Sequence, residues 1–244
     1  MKAVSLVGIT GRSPTGLSRP FFAEADDGNA YWVKSDNVTH DQRITEYVVS
    51  RLALECGLPI APFSLVEIPE ELARYSLTKQ SEELKPGFAF GSRRVPYADE
   101  LRTSHLGQID LEDCLRCLCF DWWVRNPERR LGLVGGDPNA LWDPTLESLV
   151  LIDHDGALAR DFDETEFKRE HVFRDSRPFL EDSFLTKFRT RFESAVYLLD
   201  KIWEDLPREW IEDAHGNSLT HWDRASIEAM LIKPDLAIDG ILPG

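Results

Sequence analysis

The sequence lacks any long hydrophobic run, and it has few basic residues for its size. No segment approaches the roughly 18 consecutive apolar residues that a membrane-spanning helix needs, so we expect no membrane association. Among 244 residues, Lys and Arg number 28 against 43 Asp and Glu, which gives a formal net charge of −15. This charge repels phosphate backbones, so direct nucleic-acid binding is not expected. A nucleotide held together with Mg²⁺ is still compatible with it, because Mg²⁺ prefers carboxylate oxygens.

Cysteine is also scarce, and the start of the chain has too few apolar residues for a signal peptide. The four cysteines are Cys56, Cys114, Cys117 and Cys119. The last three lie in an apolar run with helical spacing, where a zinc site would need a fourth ligand and a tight loop. We interpret them as small buried side chains of a protein from a reducing compartment, and we expect a cytoplasmic location.

Hydrophobic periodicity predicts a β-rich first part of the chain. The segment NAYWVKS alternates between apolar and polar residues, as a half-buried strand does. From about Asp41 to the stop at Gly57, apolar residues recur at helical spacing. Further strand patterns before and after this helix complete the order β-β-β-α-β-β.

The later part is predicted to be mostly helical. It begins with an apolar helix whose expected N-cap is Asp110, and a loop, a strand and amphipathic helices follow. The sequence has no internal repeat, and its composition changes near residues 97–107. We therefore predict two domains, residues 1–98 and residues 99–244.

The first part carries residue types that bind phosphate in other proteins. The turn between the first two strands contains Gly11, Ser13 and Gly16, although glycines in a hairpin usually serve backbone geometry. Lys34 ends the third strand, and Glu46 lies on the following helix, 12 positions later (46 − 34). Kinases use a strand Lys and a helix Glu to fix the α- and β-phosphates of ATP. The alternative is that Lys34 and Glu46 are unrelated surface charges.

The later part carries acids in close order, in NPERRLGLVGGDPNALW and in LVLIDHDGAL. Phosphoryl transfer needs a carboxylate near the attacking hydroxyl and oxygen ligands that hold Mg²⁺ against the phosphates. Glu128 is our candidate for the first role and Asp153 for the last metal ligand. Asp137 and Asn139 compete for the ligand between them. Alternatively, Asp153 and its neighbours merely end a strand in a polar turn.

These segments together resemble the HipA-like kinases, over most of the chain. The resemblance rests on RPFFAEADDGNAYWVK, ITEYVVSRLALECGLPIAP, PGFAFGS, FDWWVRNPERR, GDPNALW and LVLIDHDGAL. It implies an α+β, bilobal protein-kinase-like fold with a small β-rich N-lobe containing one helix and a larger helical C-lobe. It also implies ATP and Mg²⁺ as cofactors and a protein substrate that carries the acceptor Ser or Thr. Because the family includes toxins, an antitoxin or another regulatory protein is an expected partner.

The resemblance also implies roles for single residues. Lys34 matches the lysine that holds the ATP phosphates, and Glu46 matches its helix partner. Asp153 matches the metal-binding Asp, and Asn139 or Asp137 matches the metal ligand of the catalytic loop. The glycine-bearing turn would lie over the phosphates.

The catalytic loop departs from the family pattern in two ways. The family has Asn-x-Asp-Arg where this chain has NPER, so Glu128 stands at the position of the catalytic Asp and is one methylene longer. Misplacing a catalytic group by about 1 Å can lower the rate about 100-fold, so we expect reduced activity. In addition, Glu128 lies 9 residues before Asp137 and 11 before Asn139 (137 − 128 and 139 − 128), where the family spacing to the loop Asn is five.

Two other functions are compatible with the sequence. The Glu at position 128 and the longer loop motivate a nucleotide-binding pseudokinase that regulates a toxin–antitoxin or defence system. The segment LIDHDGA also resembles a strand end of aminoglycoside and choline kinases, and an acidic cleft suits cationic substrates. Against this small-molecule kinase, the loop lacks the His-x-Asp start of those families.

Overall fold

The computed structural model describes residues 3–14, 16, 18–75, 83–131, 137–231 and 240–241. Within these ranges the chain forms eight β-strands and eight α-helices. The strands are β1 (Val4–Arg12), β2 (Phe21–Ala25), β3 (Ala30–Lys34), β4 (Phe63–Ile68), β5 (Gly87–Arg93), β6 (Asp99–Glu100), β7 (Ala140–Asp143) and β8 (Ser148–Leu151). The helices are α1 (His40–Glu55), α2 (Glu70–Tyr75), α3 (Leu111–Trp123), α4 (Glu164–Glu170), α5 (Asp182–Val196), α6 (Leu199–Glu204), α7 (Arg208–Ile211) and α8 (Arg224–Leu231).

The element order of the first part agrees with the predicted β-β-β-α-β-β order, with one addition. Helix α1 begins one residue before the predicted start at Asp41 and ends two residues before Gly57. The short helix α2 lies between β4 and β5 and was not predicted, because six residues are too few for helical periodicity to be visible in a sequence.

The chain groups into two compact units. The first unit comprises Met1–Tyr47, Ala61–Pro96 and Asp205–His221. The second unit comprises Val48–Ile60, Tyr97–Glu204 and Trp222–Gly244. The boundary between residues 98 and 99, with one lobe on each side, stays a prediction.

The first unit is built on a closed five-stranded barrel with the strand order β1-β2-β3-β5-β4. Neighbouring strands are antiparallel except for the β1–β4 pair, which is parallel and closes the barrel. Alternate residues of β2 point inwards, as period-2 alternation requires. The core contains Leu6, Phe21, Ala23, Ala25, Tyr31, Val33, Val66, Ile68, Leu84 and Ala89.

The segment Asp205–His221 fixes the first half of α1 within the first unit. Trp210 of α7 is fully buried, and its indole N–H donates to the carbonyl of Phe88 in β5 at 2.8 Å. The Trp210 ring also packs edge-on against Tyr47 of α1, with 6.3 Å between the ring centroids. Since one aromatic side chain contacts both elements, α1 is held at the residue next to Glu46.

The second unit is organised around helix α3. The side chain of Asp110 accepts a hydrogen bond from the backbone N–H of Glu112 at 2.7 Å, which confirms the predicted N-cap. Trp123 stacks on Phe192 of α5 with 4.3 Å between ring centroids, and its indole N–H donates to the carbonyl of Leu231 at 2.9 Å. A small antiparallel sheet, β6-β7-β8, completes this unit. In the part of the chain that the structure describes, no helix is both long enough and apolar enough to cross a membrane.

A buried charged cluster joins α3 to the segment that follows it. Arg129 and Asp121 form an ion pair with 2.7 Å between Nε and Oδ2, and both side chains are 0% exposed. The amide of Asn126 donates to Asp121 at 3.0 Å. His171 contacts the same carboxylate through Nε2 at 3.1 Å, while its Nδ1 accepts the backbone N–H of Phe173 at 3.1 Å. The proton of a neutral His171 therefore lies on Nε2.

The cluster carries one positive and one negative charge. Burial alone would raise the pKa of Asp121, but the Arg129 guanidinium and the His171 hydrogen bond outweigh it, so the pKa lies well below the usual range. Burial lowers the pKa of His171 in spite of the neighbouring Asp121 carboxylate. The imidazole is therefore neutral at pH 7 and acts as a hydrogen-bond donor.

The substitution Asp121→Asn should lower the free energy of unfolding by about 3 to 5 kcal/mol, because it leaves the Arg129 charge buried without its partner. Urea denaturation measures this change. The matched control is Asp113→Asn on the same helix, where a partly exposed ion pair with Arg116 should contribute less than about 1 kcal/mol. Equal losses in the two variants would contradict the role given to Asp121.

The free energy of unfolding should fall as the pH drops below about 6.5, the pKa of an unfolded histidine. Below that pH the unfolded chain binds a proton at position 171 that the folded chain excludes, so acid favours unfolding. A second decrease in the free energy of unfolding should begin at about pH 4, where Asp121 becomes protonated in the unfolded chain alone. Urea denaturation between pH 8 and about pH 2 measures both decreases.

The variant His171→Gln separates the histidine effect from the rest, since its amide can still donate to Asp121. We expect a flatter pH dependence of unfolding between pH 7 and pH 5, with a remaining slope from half-buried His40, whose pKa is lowered chiefly by burial. The exposed His215 gives the control variant His215→Gln. An unchanged slope in His171→Gln would show that this imidazole does not titrate on unfolding.

Candidate active site

Lys34 and Glu46 form a buried ion pair in the first unit. Nζ of Lys34 lies 2.7 Å from Oε2 of Glu46, and the two side chains are 8% and 3% exposed. The pair therefore does not consist of two unrelated surface charges. Because removing an ion pair from water costs more than burying apolar side chains of similar size, stability alone is a poor reason for it. Its position, at the end of β3 and on α1, is the one expected for a phosphate-binding lysine and its partner.

A backbone hydrogen bond joins the two ends of the glycine-bearing turn between β1 and β2. The backbone N–H of Ser13 donates to the carbonyl of Pro20 at 2.9 Å. Gly16 has φ +80°, a left-handed conformation that favours glycine. Gly11 has no such φ, and a Cβ added there would meet nothing within 4 Å. Gly11 lies inside β1 and pairs with Phe22 next to an irregularity in the β1–β2 register, a position at which glycine is common in strands. The prediction that Gly11 belongs to the turn is therefore wrong, and Ser13 and Gly16 are the predicted residues that the turn contains.

The loop after α3 brings Glu128 and Asn139 together. Nδ2 of Asn139 donates to Oε2 of Glu128 at 3.2 Å, so the amide oxygen of Asn139 points elsewhere and can bind a metal ion. The carboxylate of Asp137 instead accepts the backbone N–H of Asn139 at 3.0 Å and is exposed. This geometry favours Asn139 over Asp137 as the metal ligand of the loop. Residues 132–136 of the lengthened loop lie outside the described residues.

Arg129 connects this loop to the segment that carries Asp153. Its Nη1 donates to the backbone carbonyl of Asn139 and lies 3.3 Å from the carbonyl of Ile152. The backbone N–H of Ile152 also donates to the Asn139 carbonyl at 3.0 Å. A single guanidinium thus fixes residues adjacent to Glu128 and Asp153. No role was predicted for Arg129. Its position directly after Glu128 in NPER is the feature of the sequence that could have indicated one.

Two of the candidate metal ligands have left-handed backbones. Asn139 has φ +43° and Asp153 has φ +52°, in the left-handed region that non-glycine residues seldom occupy. Asn and Asp adopt this region more readily than other non-glycine residues, and such conformations concentrate at functional sites. In the second unit, Glu128, Asn139 and Asp153 therefore provide oxygen donors of the type that Mg²⁺ prefers, on backbone held by Arg129.

A second group of potential metal ligands includes Asp121 itself. Atoms of Cys117, Asp121 and His171 lie within 4.8 Å of one another. Burial raises the pKa of the Cys117 thiol well above its ordinary value, whereas a metal-binding cysteine must lose its proton. Arg129 already occupies the Asp121 carboxylate, and both nitrogens of His171 are hydrogen-bonded. We conclude that this group is part of the protein core.

Comparison with solved structures identifies the fold. The crystal structure of the Helicobacter pylori proinflammatory kinase CtkA is similar over 98% of this chain and 98% of that chain, with a TM-score of 0.52 and 10% sequence identity. At this identity the likeness concerns the fold, which is kinase-like. The open conformation of CtTel1 covers 96% of this chain and 11% of that chain at 15% identity, but its TM-score of 0.31 is too low to carry an argument.

The comparison with protein families identifies the chain. No curated protein sequence is significantly similar to it. The family model for the HipA-like kinases matches residues 6–235, which include Lys34 and Glu46 in the first unit and Glu128, Asn139 and Asp153 in the second. The chain belongs to the HipA-like kinase family.

Proposed function

We propose that this chain is an ATP- and Mg²⁺-dependent phosphotransferase that acts on a serine or threonine of a protein. The observation that carries the proposal is the arrangement around Arg129. This side chain holds the backbone of Asn139 and Ile152, and the Asn139 amide holds the Glu128 carboxylate at 3.2 Å. A carboxylate and hard oxygen donors are the groups that phosphoryl transfer requires.

Each candidate residue then has one task. In the first unit, Lys34 binds phosphate oxygens and Glu46 keeps its ammonium in place. In the second unit, Asp153 and the amide oxygen of Asn139 hold Mg²⁺. When bound, the metal ion neutralises charge on the phosphates and fixes their orientation.

Glu128 is the proposed acceptor of the proton of the attacking hydroxyl. Its Oε2 accepts a hydrogen bond from the amide of Asn139. This bond orients the carboxylate, and the other carboxylate oxygen can accept the proton. General-base catalysis of this kind contributes roughly 10² to 10⁴ in rate. The turn with Ser13 and Gly16, together with Gly11 near the end of β1, is proposed to lie over the phosphates, where the absence of a side chain at Gly11 allows close approach.

Charge and cysteine content bear on the substrate and on the location. A net charge of −15 disfavours nucleic acid and is compatible with a basic or neutral region of a protein as acceptor. All four cysteines are buried and free, which suits a reducing compartment. We therefore propose a cytoplasmic protein kinase.

Replacing Asp153 with Asn should lower phosphoryl transfer from ATP at least about 100-fold, because the change removes the charge that holds the metal ion. Asparagine tolerates the left-handed backbone at this position, so the fold should persist. Transfer of labelled γ-phosphate to protein acceptors measures the effect. The control is Asp175→Asn, whose side chain is 90% exposed. Equal labelling by parent and Asp153→Asn, or no labelling by the parent under any condition, would oppose the proposal.

A second candidate function is nucleotide binding without turnover, in a regulatory partner of a toxin–antitoxin or defence system. The observation that favours it is the Glu at position 128, where the HipA-like pattern has Asp. The two functions predict opposite effects of the same substitution.

If the chain is an active kinase, Glu128→Asp should lower the rate of transfer, because it moves the carboxylate away from Asn139. Glu128→Gln should lower it further, by about 100-fold or more, because it removes the proton acceptor. If the chain only binds nucleotide, the parent should bind ATP in calorimetry without transfer, and Glu128→Asp should gain activity. The direction of the change in Glu128→Asp therefore decides between the two functions.

A further inference from the structure

Gly156 lies against the side chain of Glu128. A Cβ added at Gly156 would lie 2.6 Å from Cγ of Glu128 and closer still to its Cδ and Oε1. The three atoms nearest to that added Cβ all belong to Glu128. Since real Cβ atoms do not approach other atoms this closely, the glutamate occupies the space that a side chain at position 156 would need.

The backbone at Gly156 does not itself require glycine. Its φ is outside the left-handed region, unlike that of Gly16. The backbone N–H of Ala157 donates to the carbonyl of His154 at 3.1 Å, which makes residues 154–157 a turn that alanine can also adopt at its third position. The reason for glycine here is therefore the neighbouring side chain and not the chain conformation.

The Glu128 carboxylate thus has a contact on each of two sides. Oε1 lies over the backbone of Gly156, and Oε2 accepts the hydrogen bond from Asn139. Both residues lie outside the open end of the β7–β8 hairpin, where Ala140 pairs with Leu151: residue 139 directly precedes β7, and residue 156 follows β8.

We propose that Gly156 is a positioning residue for Glu128: its missing side chain lets the longer carboxylate, which stands at the family's Asp position, reach its place beside Asn139. This inference rests on the proposed function, in which Glu128 acts on the attacking hydroxyl. The chain then contains two linked features, the glutamate in NPER and the glycine in IDHDG.

Five proteins test the proposal: the parent, Gly156→Ala, Glu128→Ala, the double variant, and Gly107→Ala as control. Gly107 has nothing within 4 Å of an added Cβ and no left-handed φ, so its variant reports the general effect of replacing Gly with Ala. The measurements are the melting temperature of each protein and the kcat and KM for ATP in phosphoryl transfer.

We expect Gly156→Ala to lower kcat about 100-fold, because the carboxylate is displaced by about 1 Å, while the KM for ATP stays within about twofold of the parent. It should also lower the melting temperature in the parent and not in Glu128→Ala, where the space is empty. Gly107→Ala should behave like the parent in both measurements.

Equal decreases of melting temperature in the two backgrounds, or a kcat of Gly156→Ala equal to that of Gly107→Ala, would overturn the proposal. If Gly156→Ala fails to fold, the double variant decides, since it should fold if Glu128 is what the alanine displaces. A parent without transfer would count against the proposed function and would equally remove the catalytic role of Gly156. The melting temperatures would then still report whether the contact with Glu128 exists.

Discussion

The second unit depends on the ion pair between Arg129 and Asp121. A guanidinium has five N–H donors in a fixed plane, and this one reaches a helix, a loop and the end of a strand at once. Glu128 is its chain neighbour, and Asp153 follows a residue that it binds. Because the pair is fully buried, the desolvation of two charges offsets much of its attraction. The ion pair therefore contributes mainly by holding the backbone in one conformation. A site built from several convergent oxygen atoms needs such a backbone.

Left-handed backbone conformations and backbone contacts occur together at two of the candidate metal ligands. Asn139 and Asp153 have left-handed backbones, and such conformations persist only where surrounding contacts over-determine them. The contacts of Arg129 and the pairing of Ala140 with Leu151 provide this constraint. In the first unit, Trp210 has a comparable effect on α1, because it packs next to the residue that pairs with Lys34. The chain belongs to the HipA-like kinase family, and these constraints act on the residues to which the proposed function assigns roles.

Much of the fold could be predicted because its signals are local. The 3.6-residue period of α1 and α3, the cap at Asp110 and the alternation of the strands each require only neighbouring residues. Lys34 and Glu46 could be paired because only one turn separates β3 from α1. By contrast, His171 contacts Asp121 although the two residues are 50 positions apart in the sequence, and no local pattern reveals such a pair. The placement of Asp205–His221 in the first unit was equally invisible, because periodicity gives a helix but not its packing partner.

The sequence by itself was enough to predict most of the elements, the sign of the charge and a set of candidate residues for binding phosphate and Mg²⁺. Only the tertiary structure decided which of them meet. It placed the Asn139 amide on Glu128 and turned the Asp137 carboxylate to its own loop, a choice that the spacing left open. It also set Gly156 under Glu128. The physical reason is range: a hydrogen bond or a steric contact acts within about 3 to 4 Å, and a separation of many residues along a chain does not define a distance that short.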